Sequence, residues 1–383
     1  MRNHIIWRKL LSKDWGLLGM SFSEWREVKL GDVINFNPRE SLSKGVFTKK
    51  IGMEKLKPYN REIDGFEMAE FTGGTKFRNG DTLVARITPC LENGKTAQVK
   101  ILSDNEIGFG STEFIVLREK VNESNNDFIY YLSISPKFRD IAIKSMVGTS
   151  GRQRVQQDVL ENAVFSIPSI VEQKAIAETL SCLDDKIELN NRINKKLEEM
   201  AQGIFKSWFI DFEPFQDGEF EDSELGRIPK GWRVGTISDL GEVVGGSTPS
   251  KACKEYYTNK GIPWITPKDL SSNKDKFISK GEIDITELGL KNSSTKIMPK
   301  GTVLFSSRAP IGYIAIAKND VTTNQGFKSV IPKGKIGTAY VYYFLKSNIK
   351  LIESRASGST FKEVSGTVMK QIPAIIPEDN LLE

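Results

Sequence analysis

Between Ser145 and Arg154 the sequence sets Gly148 and Gly151 among Thr149, Ser150 and a glutamine, Gln153, that is flanked by Arg152 and Arg154. Arginine and glutamine can each make paired hydrogen bonds to guanine and adenine edges, while hydroxyls and backbone N–H groups suit phosphate oxygens. The same chemistry returns near the far end of the chain, in Arg355-Ala356-Ser357-Gly358-Ser359-Thr360-Phe361-Lys362. The expected DNA-contacting set is Arg86, Lys95, Ser150, Arg152, Gln153 and Arg154 in the first half of the chain. In the second half it is Thr266, Lys268, Arg308, Gln325, Arg355, Ser359 and Lys362. For any one of these residues, a polar loop with a charge facing solvent is the plainer reading. Two loops of matched composition together favour nucleic acid.

Catalytic constellations are not recognisable. His4 is the only histidine, which removes Ser/His and Cys/His nucleophiles and histidine-based metal sites. Gly94-Lys95-Thr96 resembles the end of a phosphate-binding loop, but Pro89 stands where that loop needs a glycine. Gly108-Phe109-Gly110 is followed by Glu113 where a dinucleotide fingerprint needs glycine. Phe36-Asn37-Pro38-Arg39 lacks the second proline and the aromatic with which adenine methyltransferases hold a flipped base. Asp184 and Asp185 are expected to be solvated on the polar face of a helix.

The 383 residues suffice for two or three domains, and 54 Lys and Arg against 49 Asp and Glu give a net charge of +5. That balance permits a polyanionic partner without demanding one. Cys90, Cys182 and Cys253 form no CxxC pair, so neither a disulfide framework nor a zinc site is expected. Ile5-Ile6-Trp7 is cut off by Arg8-Lys9, too short for a signal-peptide core, and no apolar run reaches membrane-spanning length. The expectation is a soluble cytoplasmic protein with no metal and no cofactor of its own.

These loops must be held by folded elements. Residues 1–22 read as an N-terminal extension, 23–168 as a first domain, 169–212 as a long helix, and 213–230 as a linker rich in acid, Gly and Pro. Residues 231–378 then read as a second domain, and 379–383 as the start of a further conserved region that the sequence cuts short. Strands are expected at Thr82–Ala85, Thr96–Val99 and Phe114–Leu117, with a helix from about Asn126 to Ser145. The second domain repeats the first. Trp25-Arg26-Glu27-Val28 with Leu30-Gly31-Asp32-Val33 returns as Trp232-Arg233-Val234 with Leu240-Gly241-Glu242-Val243. Arg86 and Pro89 return as Arg308 and Pro310, and Ile129-Tyr130-Tyr131-Leu132 as Val341-Tyr342-Tyr343-Phe344. Val155 with Ile167-Pro168 returns as Val364 with Ile376-Pro377. Landmarks recurring in one order mark a tandem duplication.

The long helix carries a heptad seam through Ile176, Leu180, Leu183, Ile187, Leu197, Ala201, Ile204 and Trp208. Asn190 and Asn194 sit where apolar seam residues belong, an arrangement that sets register and partner at a cost in stability. The predicted helix-packing set is Ile176, Leu180, Leu183, Ile187, Asn190, Asn194, Leu197, Ile204 and Trp208.

Three segments carry a family resemblance: Glu172-Gln173-Lys174-Ala175-Ile176-Ala177, Leu183-Asp184-Asp185-Lys186-Ile187-Glu188-Leu189-Asn190, and Phe205-Lys206-Ser207-Trp208-Phe209-Ile210-Asp211-Phe212-Glu213-Pro214-Phe215. They resemble the central conserved region of specificity subunits of type I restriction-modification enzymes. Trp25 to Val33, Leu225 to Trp232 and Ile262-Pro263-Trp264-Ile265 are also similar to that family. The resemblance implies an α+β chain of two similar mixed α/β target-recognition domains separated by a long coiled-coil helix; the expected departure from the family is that the second helix is missing. It implies that each domain reads one half of a bipartite double-stranded DNA target. It further implies that methyltransferase (modification) and motor-nuclease (restriction) subunits are the partners. S-adenosylmethionine, ATP and Mg²⁺ are expected on those partners, none in this chain, and the chain itself is expected to catalyse nothing. Self-association through the central helix is an alternative way to cover the seam. The rival readings are a protein–protein scaffold with duplicated peptide-binding domains and an enzyme with an unrecognised site.

Overall fold

The computed structural model describes residues 25–378 and Leu381, apart from Ser150, Lys274, Ala309 and 359–361. The expected extension over 1–22, and all but Leu381 of the expected further region over 379–383, lie outside the described residues. The chain divides into two compact units, one ending at Asn194 and the other starting at Lys195.

In the first unit, Arg26–Lys29 pairs antiparallel with Val164–Ile167, which ties the beginning of the unit to the strand that precedes the long helix. A four-stranded antiparallel sheet follows the order Ile34–Phe36, Phe114–Glu119, Thr82–Ala85, Thr96–Gln98. Thr82–Ala85 is buried at every position, so it reads as an apolar run and not as an alternation. A second four-stranded sheet has the order Glu67–Glu70, Phe47–Ile51, Gly108–Gly110, Thr75–Phe77. One core lies around Phe77, Leu83, Phe114 and Val116, and another around Ile115, Leu117, Tyr130 and Phe138.

The helix expected from Asn126 to Ser145 is two helices, Asn126–Ser133 and Pro136–Lys144. Pro136 has no N–H to continue the first helix and disfavours helical geometry at the residue before it. Ser135 is accordingly extended, and its hydroxyl accepts the Phe138 N–H at 3.3 Å to cap the second helix.

The second unit repeats this plan. Arg233–Thr236 pairs antiparallel with Pro373–Ile376, as Arg26–Lys29 does with Val164–Ile167. A five-stranded sheet follows the order Gly241–Gly245, Lys328–Pro332, Val303–Ser307, Ile311–Ala317, Phe277–Ile278, and a smaller sheet holds Ile262–Ile265. The Tyr-Tyr helix returns as Thr338–Ser347, buried from Tyr340 to Leu345. The acidic stretch expected as a linker holds a short 3₁₀ turn, Glu213–Phe215, and an antiparallel hairpin of Phe220–Ser223 with Gly226–Pro229.

The long helix runs uninterrupted over Ile170–Phe209, 40 residues. Ser169 and Glu172 form a reciprocal cap: the Ser169 hydroxyl accepts the Glu172 N–H at 3.4 Å, and the Ser169 N–H donates to the Glu172 carboxylate at 3.1 Å. After Phe209 the chain turns at Phe212, which takes a left-handed backbone (φ 54°) and ends the helical run.

Candidate nucleic-acid interface

In the first unit the glycine-rich loop is a tight hairpin. Val147 and Arg154 face each other through two backbone hydrogen bonds of 3.0 and 2.9 Å. Gly148 turns the chain at φ 134°, where a Cβ would lie 2.9 Å from the Arg152 carbonyl. The hairpin is sewn to the sheet by Val155 N–H to the Arg86 carbonyl at 2.9 Å and Thr88 N–H to the Gln153 carbonyl at 3.0 Å. Arg86, Arg152, Gln153 and Arg154 are thus brought together. Their side chains differ in availability. Arg154 grips Glu113 through one guanidinium edge, Nε and Nη2, with bonds of 2.6, 2.9 and 3.0 Å. Those bonds hold the Glu113 carboxyl below its ordinary range, and the charges of Arg154 and Arg86 act in the same direction. Arg86 donates to the Val155 carbonyl at 3.3 Å, while its buried Nε has no partner among the described residues. The Arg152 side chain is exposed, and Gln153 is half-buried. Lys95 accepts the Ala85 N–H through its backbone carbonyl at 3.1 Å, beside Arg86, but its ammonium donates to the Met53 carbonyl at 2.9 Å, and Ser150 lies outside the described residues.

The second unit builds the matching hairpin. Ser357 and Glu363 face each other through backbone bonds of 3.1 and 2.9 Å, Gly358 turns at φ 112°, and Val364 N–H bonds the Ser307 carbonyl at 3.0 Å. Arg308 and Lys328 both reach the Glu363 carboxylate, at 3.3 and 3.4 Å. Arg355 and Lys362 are exposed. Gln325 accepts from the Thr248 hydroxyl, and the adjoining Gly326 approaches Pro267, which places Gln325 beside the helix Pro267–Ser272. Thr266 caps that helix, its hydroxyl donating to Asp269 at 2.6 Å, and Lys268 pairs with Glu282 at 2.7 Å. Ser359 lies outside the described residues.

Each end of the long helix is anchored to its own unit by charge and aromatic contacts. In the first unit Gln173 is fully buried. Its amide donates to the Glu123 and Pro168 carbonyls, each at 3.0 Å, and its carbonyl accepts the Asn125 N–H at 3.1 Å. Arg61, only 4% exposed, forks onto Glu188 with two bonds of 2.8 Å and also reaches Asp185. Tyr131 donates to Asp184 at 2.8 Å. The expected solvated pair of carboxylates is corrected for Asp184, which is half-buried, whereas Asp185 is exposed to solvent as expected while also pairing with Arg61. Burial pushes the Asp184 carboxyl up, against the hydrogen bond from Tyr131 and the charge of Arg61. In the second unit Glu198 receives Tyr343 at 2.7 Å, Lys346 at 2.7 Å and Lys276 at 3.2 Å. Burial alone would raise the Glu198 carboxyl. The bonds from Lys346, Tyr343 and Gln202 together with the Lys276 charge outweigh it and bring the carboxyl down to about 2. Phe205 packs tilted and Phe209 edge-on against Tyr340, with ring centres 5.5 and 5.0 Å apart, and Phe209, Phe212 and Phe215 surround Trp232.

Of the predicted seam, Ile176 and Leu180 are half-buried against the first unit's core, as Ala201 is against the second's. The remainder is open. Leu183, Ile187, Leu197 and Ile204 are 54–57% exposed, Trp208 is 38% exposed, and Asn190 and Asn194 are exposed between them. Among the described residues no group of His, Cys, Asp and Glu could hold a metal ion, and no helix is long and apolar enough to cross a membrane.

The type I restriction-modification DNA specificity domain matches this sequence twice, over residues 22–199 and 229–380. The chain belongs to that family. It is 27% identical to the HindI type I restriction enzyme specificity subunit of Haemophilus influenzae, across 94% of this chain and 91% of that protein. It is 50% identical over 165 residues to the MjaIX specificity subunit of Methanocaldococcus jannaschii, a match covering 42% of this chain and only 38% of that relative. The type I restriction-modification S subunit from M. genitalium shares the fold with a TM-score of 0.55 at 16% identity, over 95% of this chain and 88% of that one. Both units are accordingly DNA specificity domains, and the chain recognises the DNA target while carrying no catalysis itself.

Within the specificity-domain framework, the residues that sequence reasoning missed are the helix anchors Gln173, Asp184, Glu188, Glu198 and Phe205 and their partners Arg61 and Lys276. A signal was present: polar residues at positions 173, 184 and 188 fall on one helical face beside Ala177 and Ser181, next to the open stripe and distinct from it. The heptad pattern of Leu and Ile marks a different face, of which Ile176 and Leu180 pack on the first unit's core and the rest is open.

Proposed function

We propose that this chain reads a bipartite double-stranded DNA target, one half through each specificity domain, and presents that target to the other subunits of a type I restriction-modification complex in the cytoplasm. The observation that carries the reading is the duplicated hairpin. Each unit holds a glycine-turned loop rigidly at one end of its main sheet, with exposed cations beside it: Arg152 in the first, Arg355 and Lys362 in the second. Rigid placement suits base readout, and cations flanked by backbone N–H groups suit phosphates. The partners are methyltransferase and motor-nuclease subunits, on which S-adenosylmethionine, ATP and Mg²⁺ reside. The open stripe from Leu183 to Trp208 is where helices of the methyltransferase subunits, or of a second copy of this chain, cover the long helix.

Two experiments test this. Gel retention of duplex DNA by the chain at two salt concentrations separates the reading from a peptide-binding scaffold, because phosphate contacts weaken steeply with salt and a scaffold retains no DNA. Sequencing of DNA retained from a randomised duplex pool is expected to show two separated preferred segments, and Arg152→Ala is expected to flatten one of them alone. Loss uniform over all sequences would assign Arg152 to a phosphate.

A further inference from the structure

Arg154 and Glu363 occupy the same place in the two units. Each faces the residue before the turning glycine across the hairpin, Val147 or Ser357, and each precedes a buried valine, Val155 or Val364, whose N–H bonds the sheet. Their charges are opposite. In the first unit the hairpin supplies the cation, Arg154, and the sheet side supplies the anion, Glu113. In the second the hairpin supplies the anion, Glu363, and the sheet side supplies the cations Arg308 and Lys328. A residue that read bases from this position would present its hydrogen-bonding edge to DNA, and that edge of Arg154 is turned to Glu113 instead. Arg154 spends both Nε and Nη2 on Glu113. A carboxylate free to face phosphates would repel them, but Glu363 is neutralised by two cations.

We propose that Arg154 and Glu363 are positioning residues, matched latches of reversed polarity that pin each recognition hairpin to its sheet and read no base themselves. The proposal rests on the reading that these hairpins face DNA. It assigns Arg154 a role different from that of its neighbour Arg152, and it makes Glu113, Arg308 and Lys328 part of the specificity apparatus without DNA contact.

The test uses the full chain and sequencing of DNA retained from a randomised duplex pool, which reports the preference in each target half separately. Arg154→Glu places two carboxylates together and is expected to flatten one half by about tenfold, leaving the other intact. The swapped pair, Arg154→Glu with Glu113→Arg, is expected to restore that half, because the latch is remade with its polarity turned around. Glu363→Gln is expected to weaken the other half only. Melting temperatures confirm that each variant is folded, and Arg154→Lys, which keeps one ionic bond, is expected to fall between the wild type and Arg154→Glu. A folded swap variant that stays flat would overturn the proposal, since the guanidinium itself would then be touching DNA. Unchanged preferences in Arg154→Glu would overturn it as well. Arg152→Ala distinguishes the two levels: if it flattens one half while Arg154→Glu does not, only the latch falls. If neither changes anything, the hairpins do not face DNA.

Discussion

Tyr343 donates its phenolic hydrogen to Glu198 at 2.7 Å, and so fastens the helix of the second unit's repeated Tyr-Tyr motif to the long helix. Tyr131 makes the same bond to Asp184 in the first unit at 2.8 Å. Since both tyrosines came from one duplicated element, the long helix has met the two copies with a carboxylate each. Tyr343→Phe removes the donor and leaves Glu198 to Lys346, Lys276 and Gln202. A loss of about 1 kcal/mol in chemical denaturation is expected, with Glu198→Gln costing more because it also leaves two lysines unpaired. Equal stability of both variants with wild type would show that the clamp contributes nothing.

Arg61 is a harsher case. It is nearly fully buried and answers two carboxylates of the long helix, so Arg61→Ala leaves Glu188 half-enclosed with no cation. The expected loss is about 2–4 kcal/mol. Arg61→Lys keeps the charge without the planar fork and is expected to recover only part of it. Thermal melting of the two variants beside wild type checks the order.

Stability in acid follows from Glu198. Its folded carboxyl titrates at about 2 against an ordinary 4.5, so the folded state binds fewer protons than the unfolded state between those values. The stabilisation is fully present above about pH 4.5 and is lost as pH falls toward about 2. With the remaining exposure discounted it amounts to about 1–2 kcal/mol. Asp184 acts in the opposite sense, because burial raises its carboxyl and acidification relieves the cost of its charge. Denaturation curves at a series of pH values are expected to slope less for Glu198→Gln than for wild type.

The open stripe predicts behaviour in solution. Leu183→Lys with Leu197→Lys is expected to change the melting temperature little, since both side chains are more than half exposed, while reducing any concentration-dependent association seen by light scattering. Co-expression with methyltransferase subunits is expected to have the same effect on wild type by covering the stripe. A monomer at high concentration in the unmodified chain would remove the need for any cover.

Much of this architecture was legible beforehand. Apolar runs at Thr82–Ala85 and Phe114–Leu117 became buried strands because a central strand is enclosed on both faces, and the duplication followed from landmarks such as Tyr130-Tyr131 and Tyr342-Tyr343. The glycine-rich loops were found because Gly148 and Gly358 mark turns. What stayed hidden was long-range. No local pattern announces that Arg61 meets Glu188, or that Arg154 closes on Glu113, because sequence periodicity reports which face is apolar and not which distant charge completes it. Pro136 is legible in the sequence, and its ring splits the helix despite the continuous apolar pattern around it.

From Leu189 to Leu197 every residue of the long helix is exposed, three asparagines among them, and neither unit's anchors reach that stretch. In hydrogen-exchange terms the helix has two guarded ends and a middle that must protect itself, with asparagine among the weaker helix formers. Its amides are expected to exchange, and the bonds after Arg192, Lys195 and Lys196 to be nicked by trypsin, well before those of either end. Slowing of both in an assembled complex would then time the arrival of whatever packs there.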